Sequence, residues 1–296
     1  MDAKQNPFSL YDFLGYFTPG AVFLFGFVAV VNRFFGYKLH ESLTSQGFNN
    51  GETTVALVLL AYILGHSLSF LSSVFVEKFS IWMHGYPSKY LLNSNHCGYL
   101  KNKGKDGIEV DLYCLPKVIR GLVWLFMLPV AVLDKVLGDW LNARNVYVKG
   151  LDDGLSLIVR AKIEALLTDK SGLTEPPEGY HWSKDDFFRF VTHYVLVNSE
   201  HHISSLKNYV ALYGFTRTMT FLCIIAFWGS IFVLSFSASE SNIMKTILVA
   251  SIPFSYIYYM AFNKFNRRFT LEAFMALAVS YEMKAKINTK KFEEKL

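Results

Sequence analysis

The chain has 296 residues, of which 52% are hydrophobic, 17% aromatic and 18% charged, and its formal net charge is +5. Soluble globular domains carry about 25% charged residues, so this composition favours a membrane protein over a soluble one. The three cysteines, Cys97, Cys114 and Cys223, form no Cys-x-x-Cys pair, which argues against a disulfide framework or a zinc ribbon.

Four stretches of the chain contain no Asp, Glu, Lys or Arg, and they comprise residues 13–32, 53–76, 218–239 and 246–263. A helix that rises about 1.5 Å per residue needs about 20 residues to cross about 30 Å of hydrocarbon. We therefore predict an all-α membrane protein with four transmembrane helices in two hairpins, at 13–35, 53–76, 217–239 and 246–263.

The segments between the spans complete the predicted layout. They are a cytoplasmic N-terminus (1–12), an external loop (36–52), a mainly helical cytoplasmic domain (77–216), an external turn (240–245) and a cytoplasmic helical tail (264–296). Within the cytoplasmic domain, residues 117–142 form an amphipathic segment. Its uncharged run of 13 residues at 121–133 is interrupted by Pro129, so we expect it in the membrane interface or inside a protein core.

The orientation follows from the positive charges. Of the 29 Lys and Arg residues, only Arg33, Lys38 and Lys245 fall on the side that this layout places outside. Positive residues near helix ends favour the cytoplasmic side. We therefore expect a multi-pass protein of the bacterial inner membrane with both termini in the cytoplasm.

The cytoplasmic segments show helical patterns. Residues 151–168 have apolar side chains at helical spacing, and a helix is expected to begin near Ser183 and to run without interruption into the third span. Residues 264–286, which lack Pro and Gly, should extend the fourth span into the cytoplasm. Two such helices would form a stalk that links the cytoplasmic domain to the membrane. Residues 108–114 are a candidate short strand.

A stripe of small side chains recurs every four residues along the second span. It comprises Ala61, Gly65, Ser69 and Ser73, with His66 and Ser72 beside it. Small residues let helices approach closely in lipid. The stripe fits either a packing seam within one chain or a subunit interface or pore wall. An ionisable residue within a span, here His66, is a functional candidate, although a neutral His bonded to a neighbouring helix is also tolerated.

Basic residues form two candidate ligand sites on the cytoplasmic side. They are the loop lysines Lys101, Lys103 and Lys105, and the pair Arg267 and Arg268. Such groups bind the phosphates of a nucleotide, an oligonucleotide or a lipid head group, or they are simply solvated.

The motifs of common enzyme families are absent from the sequence, which has no P-loop, Gly-x-Ser-x-Gly or His-Glu-x-x-His pattern. The adjacent His201 and His202 point about 100° apart on a helix and lack a further ligand at metal spacing. We therefore expect no enzyme, cofactor or metal. A lipid-active membrane enzyme would need paired acids or histidines that the sequence does not assemble.

The start of the first span contains two unusual features. Asp12 stands at its cytoplasmic end, and Pro19 and Gly20 interrupt its helix. They fit either a capped, kinked anchor or a cytoplasmic gate, to which Arg217 at the membrane edge of the third span would belong.

The stretch YDFLGYFTPGAVFL, with Tyr11, Asp12, Tyr16, Pro19 and Gly20, resembles a Tyr-Asp and Tyr-x-x-Pro-Gly pattern of small bacterial multi-pass membrane proteins. YGFTRTMTFL, with Tyr213 and Arg217, is similar to a second part of that pattern. The resemblance implies an antiviral-defence membrane effector, of which the Hailong-type channel effector is one example, gated by a nucleotide signal.

Together these features predict a homo-oligomeric pore or channel-like effector that its cytoplasmic domain gates. The alternative is a membrane scaffold or accessory subunit that docks a cytoplasmic protein and conducts nothing.

Overall fold

The structure is a computed structural model that describes residues 12–36, 42, 45, 49–93, 99–103, 109–111, 114–171, 186–236 and 242–281. Its α-helices are α1 (Thr18–Phe35), α2 (Asn50–Ser72), α3 (Lys78–His84), α4 (Pro87–Tyr90), α5 (Cys114–Phe126), α6 (Leu128–Leu133), α7 (Arg144–Tyr147), α8 (Asp153–Ser171), α9 (Phe188–Asn198), α10 (Glu200–Phe236) and α11 (Asn242–Ser280). Three π-helical turns accompany them: Phe13–Phe17 before α1, Ser73–Glu77 between α2 and α3, and Asp134–Trp140 after α6. Strands β1 (Lys101–Lys103) and β2 (Glu109–Asp111) pair antiparallel.

Four helical stretches of the described chain are long and apolar enough to cross a membrane, and they are Phe13–Arg33, Asn50–Tyr90, Glu200–Phe236 and Asn242–Ser280. They coincide with the four apolar runs of the sequence, so the prediction of four membrane-length helices is confirmed. The second begins at a capping box, in which the Asn49 side chain accepts from the Glu52 amide and the Glu52 side chain accepts from the Asn49 amide. These two bonds satisfy backbone donors that a helix start otherwise leaves open.

Helices α10 and α11 are the longest elements, with 37 and 39 residues. At about 1.5 Å per residue each is about 55 Å long, so about 25 Å extends beyond a hydrocarbon core of about 30 Å. The two helices pack against each other and contribute to both hydrophobic clusters of the described chain. One cluster contains Leu206 and Phe274 with residues of α8 and α9, and the other contains Phe221 and Tyr259 with residues of α2, α3 and α5. This arrangement fits the predicted stalk.

The helix that precedes the third span is interrupted, and the prediction of one continuous helix from Ser183 is wrong. Ser183 itself lies outside the described residues, α9 ends at Asn198, and α10 begins at Glu200. Between them Ser199 leaves the helical conformation at φ −133° and ψ 71°, and its Oγ donates to the Ser280 Oγ at 3.0 Å. The break lets α9 pack Val191 and Val195 into the cluster at the end of α11 instead of extending α10.

The amphipathic segment 117–142 forms two arms that meet at a sharp elbow. Cys114–Phe126 and Leu128–Trp140 are related by a bend of 85° at Met127, ahead of Pro129. Proline at the start of α6 removes a backbone donor where a helix needs none, which suits a new helix direction. Met127 is fully buried, while many apolar side chains of both arms are exposed. The predicted strand is present over part of its length, as β2.

Candidate functional site

The π-helical turn before α1 brings the first span into backbone contact with α2. A β-carbon built on Gly20 would lie 1.8 Å from the Ala61 carbonyl oxygen, and one built on Gly65 would lie 1.9 Å from the Tyr16 carbonyl oxygen. Only glycine fits at both positions. Thr18 Oγ1 donates to the Phe13 carbonyl at 2.9 Å, which satisfies an acceptor at the turn. Two stripe residues, Ala61 and Gly65, therefore pack against the first helix of the same chain.

His66, next to Gly65, is exposed near the middle of the apolar run 53–76. Its ring stacks on Tyr16 at a centroid distance of 3.9 Å and meets the Tyr62 ring edge-on at 4.6 Å. The neighbouring Ser67 is exposed as well, and its hydroxyl donates to the Ile63 carbonyl at 3.2 Å. The outer surface of α2 thus carries an exposed imidazole in the middle of a membrane-length apolar run.

Arg217 is the centre of a polar cluster at one end of the apolar runs. Its guanidinium forms an ion pair with Glu77 and donates to Ser72 Oγ at 3.1 Å and to the Ser69 carbonyl at 3.3 Å. Ser72 also lies 3.4 Å from the Thr218 hydroxyl, and both of these side chains are fully buried. The predicted stripe residues Ser69 and Ser72 and the predicted gate residue Arg217 therefore meet in one network between α2 and α10.

The other predicted gate and stripe residues lie around these contacts. Pro19 is buried beside Gly20, and Asp12 is half-buried directly before the π-helical turn. Ser73 is half-buried, and its hydroxyl donates to the Phe70 carbonyl at 2.7 Å, within its own helix. Tyr11 of the motif lies outside the described residues.

The basic residues have separate partners. Lys101 contributes its carbonyl to Arg120 Nη1, at 3.4 Å, while Arg267 donates from Nε to the Lys149 carbonyl at 2.7 Å. Arg268 is exposed. Lys103 belongs to β1 but its side chain, like the whole of Lys105, lies outside the described part of the chain. The described contacts thus do not join the two basic groups into one site.

A second network surrounds Asp134, which is completely buried. Its carboxylate accepts hydrogen bonds from Arg144 Nη2 at 2.6 Å and Nε at 3.2 Å, and from the Tyr147 hydroxyl. Tyr147 continues the network to the Tyr256 hydroxyl at 3.4 Å, and His84 Nε2 lies 3.9 Å from the carboxylate. Burial, followed by the Asp134 charge, raises the pKa of Tyr147 above its ordinary value.

Sequence reasoning missed this network. Its members lie between 84 and 256 in the chain, and no spacing rule connects them. The available signal was that Asp134 directly follows the apolar run 121–133, where a lone acid needs a partner, and that Arg144 follows ten residues later. Because the carboxylate is bound by Arg144 and Tyr147, the arrangement ties the segment after the elbow to α7.

Within the described residues, no group of three or more His, Cys, Asp or Glu side chains is placed to hold a metal ion. Comparison of the chain with protein-family models, curated proteins and solved structures gives no match. Its function is therefore inferred from its own sequence and geometry.

Proposed function

We propose that the chain is a multi-pass protein of the bacterial inner membrane that assembles into a homo-oligomeric pore. Its four spans would form two hairpins with both termini and the insert 77–216 in the cytoplasm, as the distribution of Lys and Arg favours. The cytoplasmic domain would gate the pore through the stalk formed by α10 and α11.

The observation that carries this proposal is the exposure of His66 at mid-span. An ionisable side chain that faces lipid is costly, and such residues ordinarily face a bundle interior or water. A second copy of the chain, or a water-filled pore between copies, would cover His66 and the adjacent Ser67. The small external segments add support, since they leave recognition to the cytoplasmic side.

The Arg217 cluster would couple the stalk to the pore. It joins α10, which extends into the cytoplasmic domain, to Ser69 and Ser72 on α2, the helix that also carries His66. A movement of α10 along its axis would therefore shift α2. The resemblance of the N-terminal motif to antiviral effectors makes a nucleotide or oligonucleotide our candidate activating ligand, with Arg268 and Lys101 among its candidate contacts.

Conductance and oligomeric state test the proposal. Purified full-length protein in planar bilayers, challenged with a panel of cyclic mononucleotides and oligonucleotides, should conduct, and in mild detergent it should form a defined oligomer by mass photometry. His66→Leu and Ser67→Leu should each lower the conductance at least tenfold and leave the oligomer intact. Ile63→Leu, on the same exposed helix surface, is the matched control and should conduct normally. A monomeric protein would contradict the pore.

The alternative function, a scaffold or accessory subunit, is favoured by apolar side chains on the cytoplasmic helices. Leu157 on α8, Val197 on α9 and Val279 on α11 are 65%, 79% and 80% exposed. Exposed apolar groups of this kind suit a docked protein. A stable oligomer that stays silent with every ligand of the panel would favour this function.

A further inference from the structure

The bent pair Cys114–Phe126 and Leu128–Trp140 presents an apolar outer surface. Exposed side chains on its first arm are Leu115, Val118, Ile119, Leu122, Trp124 and Leu125, and those on its second arm include Val132, Val136 and Trp140. Water-exposed surfaces rarely carry so many contiguous apolar positions. On the inner side of the first arm, Arg120 and Val123 are buried against the rest of the protein. The outer surface therefore suits lipid.

The elbow packs against the membrane-spanning helices. The Phe126 ring lies 4.9 Å from that of Phe75 and 5.8 Å from that of Phe221, and Trp228 Nε1 donates to the Phe126 carbonyl at 2.8 Å. Trp228 follows Arg217 by 11 residues of helix, and hence by about 16 Å. Phe221 follows Arg217 by only four residues, about 6 Å. Since Arg217 marks the end of the apolar run, the elbow lies about 6–16 Å inside it if α10 spans the membrane.

Both arms return to the same helix, α3. The Arg120 guanidinium on the first arm lies over the Trp82 ring at 4.9 Å, and Asp134 on the second arm lies 3.9 Å from His84. Trp82 and His84 are only two residues apart, so the middle parts of the two arms lie on one side of the elbow. Each arm has 13 residues, and two such arms at a bend of 85° reach a depth of about 13 Å, less than half of the 30 Å core.

The backbone of the elbow is satisfied, as a segment in lipid requires. The Met127 amide donates to the Val123 carbonyl at 2.9 Å, the Met127 carbonyl accepts from the Ala131 amide at 2.9 Å, and Trp228 occupies the Phe126 carbonyl. The buried Asp134, which ends the apolar part of the second arm, is neutralised by Arg144. These polar groups therefore have partners inside the protein and need none from hydrocarbon.

We propose that residues 114–140 are a re-entrant membrane segment, which enters and leaves the cytoplasmic leaflet on the same face and contacts lipid acyl chains through its exposed apolar side chains. Such a segment is independent of the pore function, because it would serve a pore and a scaffold alike. It requires that the four spans cross a bilayer in the orientation proposed above.

Depth-dependent fluorescence quenching tests the insertion. Single cysteines are introduced into full-length protein whose native cysteines are replaced by serine, labelled with bimane in detergent and reconstituted into phosphatidylcholine–phosphatidylglycerol liposomes. Leu125→Cys, at the elbow, should be quenched by lipids with a mid-chain doxyl group and protected from iodide at least fivefold. Val249→Cys in α11 is the membrane control, and Leu157→Cys in α8 is the aqueous control.

The controls separate failure of the re-entrant segment from failure of the span assignment. If the Leu125→Cys label responds to iodide as the Leu157→Cys label does, while Val249→Cys is quenched by doxyl lipid, the segment lies outside the bilayer and the proposal is wrong. If Val249→Cys is itself quenched by iodide, the four-span assignment fails and the proposal fails with it.

Labelling from each side of the membrane tests the re-entrant topology. Native Cys114 and a Leu141→Cys substitution lie at the two ends of the segment, and both positions are exposed. A membrane-impermeant maleimide should label both in inside-out vesicles and neither in right-side-out vesicles. Labelling of the two positions from opposite sides would show a broken fifth span and overturn the proposal.

Discussion

Gly65 and Tyr16 are in direct backbone contact, since a β-carbon on Gly65 would lie 1.9 Å from the Tyr16 carbonyl oxygen. This contact, together with the matching contact between Gly20 and Ala61, sets the distance between the first two membrane-length helices. A larger side chain at either glycine must separate the two backbones. The atoms that it would meet are backbone atoms, which cannot rotate away as the end of a flexible side chain can.

Gly20→Ala should therefore destabilise the protein, by about 1–3 kcal/mol as overpacked sites commonly do. Gly26→Ala on the same helix is the matched control. A β-carbon there meets nothing within 4 Å, and alanine favours the helix. Unfolding by SDS titration, followed by circular dichroism, measures the difference. Equal midpoints for the two variants would contradict the close contact.

Arg217→Ala should destabilise the contact between α2 and α10. The change removes the ion pair with Glu77 and the donors to Ser72 and Ser69, and Ser72 is fully buried. We expect the free energy of unfolding to fall by about 1–3 kcal/mol, which is typical for lost hydrogen bonds to a charged group. The ion pair itself adds little, because the Glu77 side chain is 36% exposed and solvent screens its charge.

Arg268→Ala is the control for that measurement, since Arg268 is an exposed arginine on α11. Thermal unfolding in detergent should shift for Arg217→Ala and stay within error for Arg268→Ala. Arg217→Lys should restore only part of the stability, because a single ammonium cannot reach Glu77 and the serines in the geometry of a guanidinium.

Asp134→Ala should be the most damaging change in the network around the elbow. It leaves Arg144 facing a cavity without its buried partner, which typically costs about 3–5 kcal/mol. Arg144 also pairs with Asp139, whose side chain is 53% exposed. Asp139→Asn should therefore cost less than about 1 kcal/mol. Comparable losses for the two variants in SDS titration would show that the burial of Asp134 contributes nothing.

The network should also make stability fall at alkaline pH. Burial and the Asp134 charge raise the pKa of Tyr147, so its neutral form is favoured in the folded protein. Its contribution to stability is complete below the unfolded tyrosine pKa of about 10 and is lost as the pH rises toward the higher folded value. At pH 8 the Tyr147→Phe variant should unfold at a lower SDS midpoint than the unsubstituted protein. Between pH 8 and pH 11 its midpoint should fall less steeply. Parallel declines would exclude Tyr147 as a contributor.

The sequence alone determined the number and position of the membrane-length helices. Uncharged length is a local property, because each run must be about as long as the hydrocarbon is thick whatever it packs against. The same holds for the amphipathic residues 151–168, which became α8, and for the long continuation of the fourth span into α11.

Only the tertiary structure decided the partners of the polar residues. Arg217 meets Glu77 and Ser72 across about half of the chain, and Asp134 meets Tyr147 and Tyr256 through helices that no spacing rule relates. The break at Ser199 likewise coincides with a bond to Ser280, far along the chain. A buried charge in an apolar region requires a counter-charge, but which residue supplies it depends on how the helices pack. For the same reason the small and polar side chains of α2 have different surroundings: Gly65 contacts Tyr16, Ser69 contacts Arg217, and His66 is exposed with its ring stacked on Tyr16.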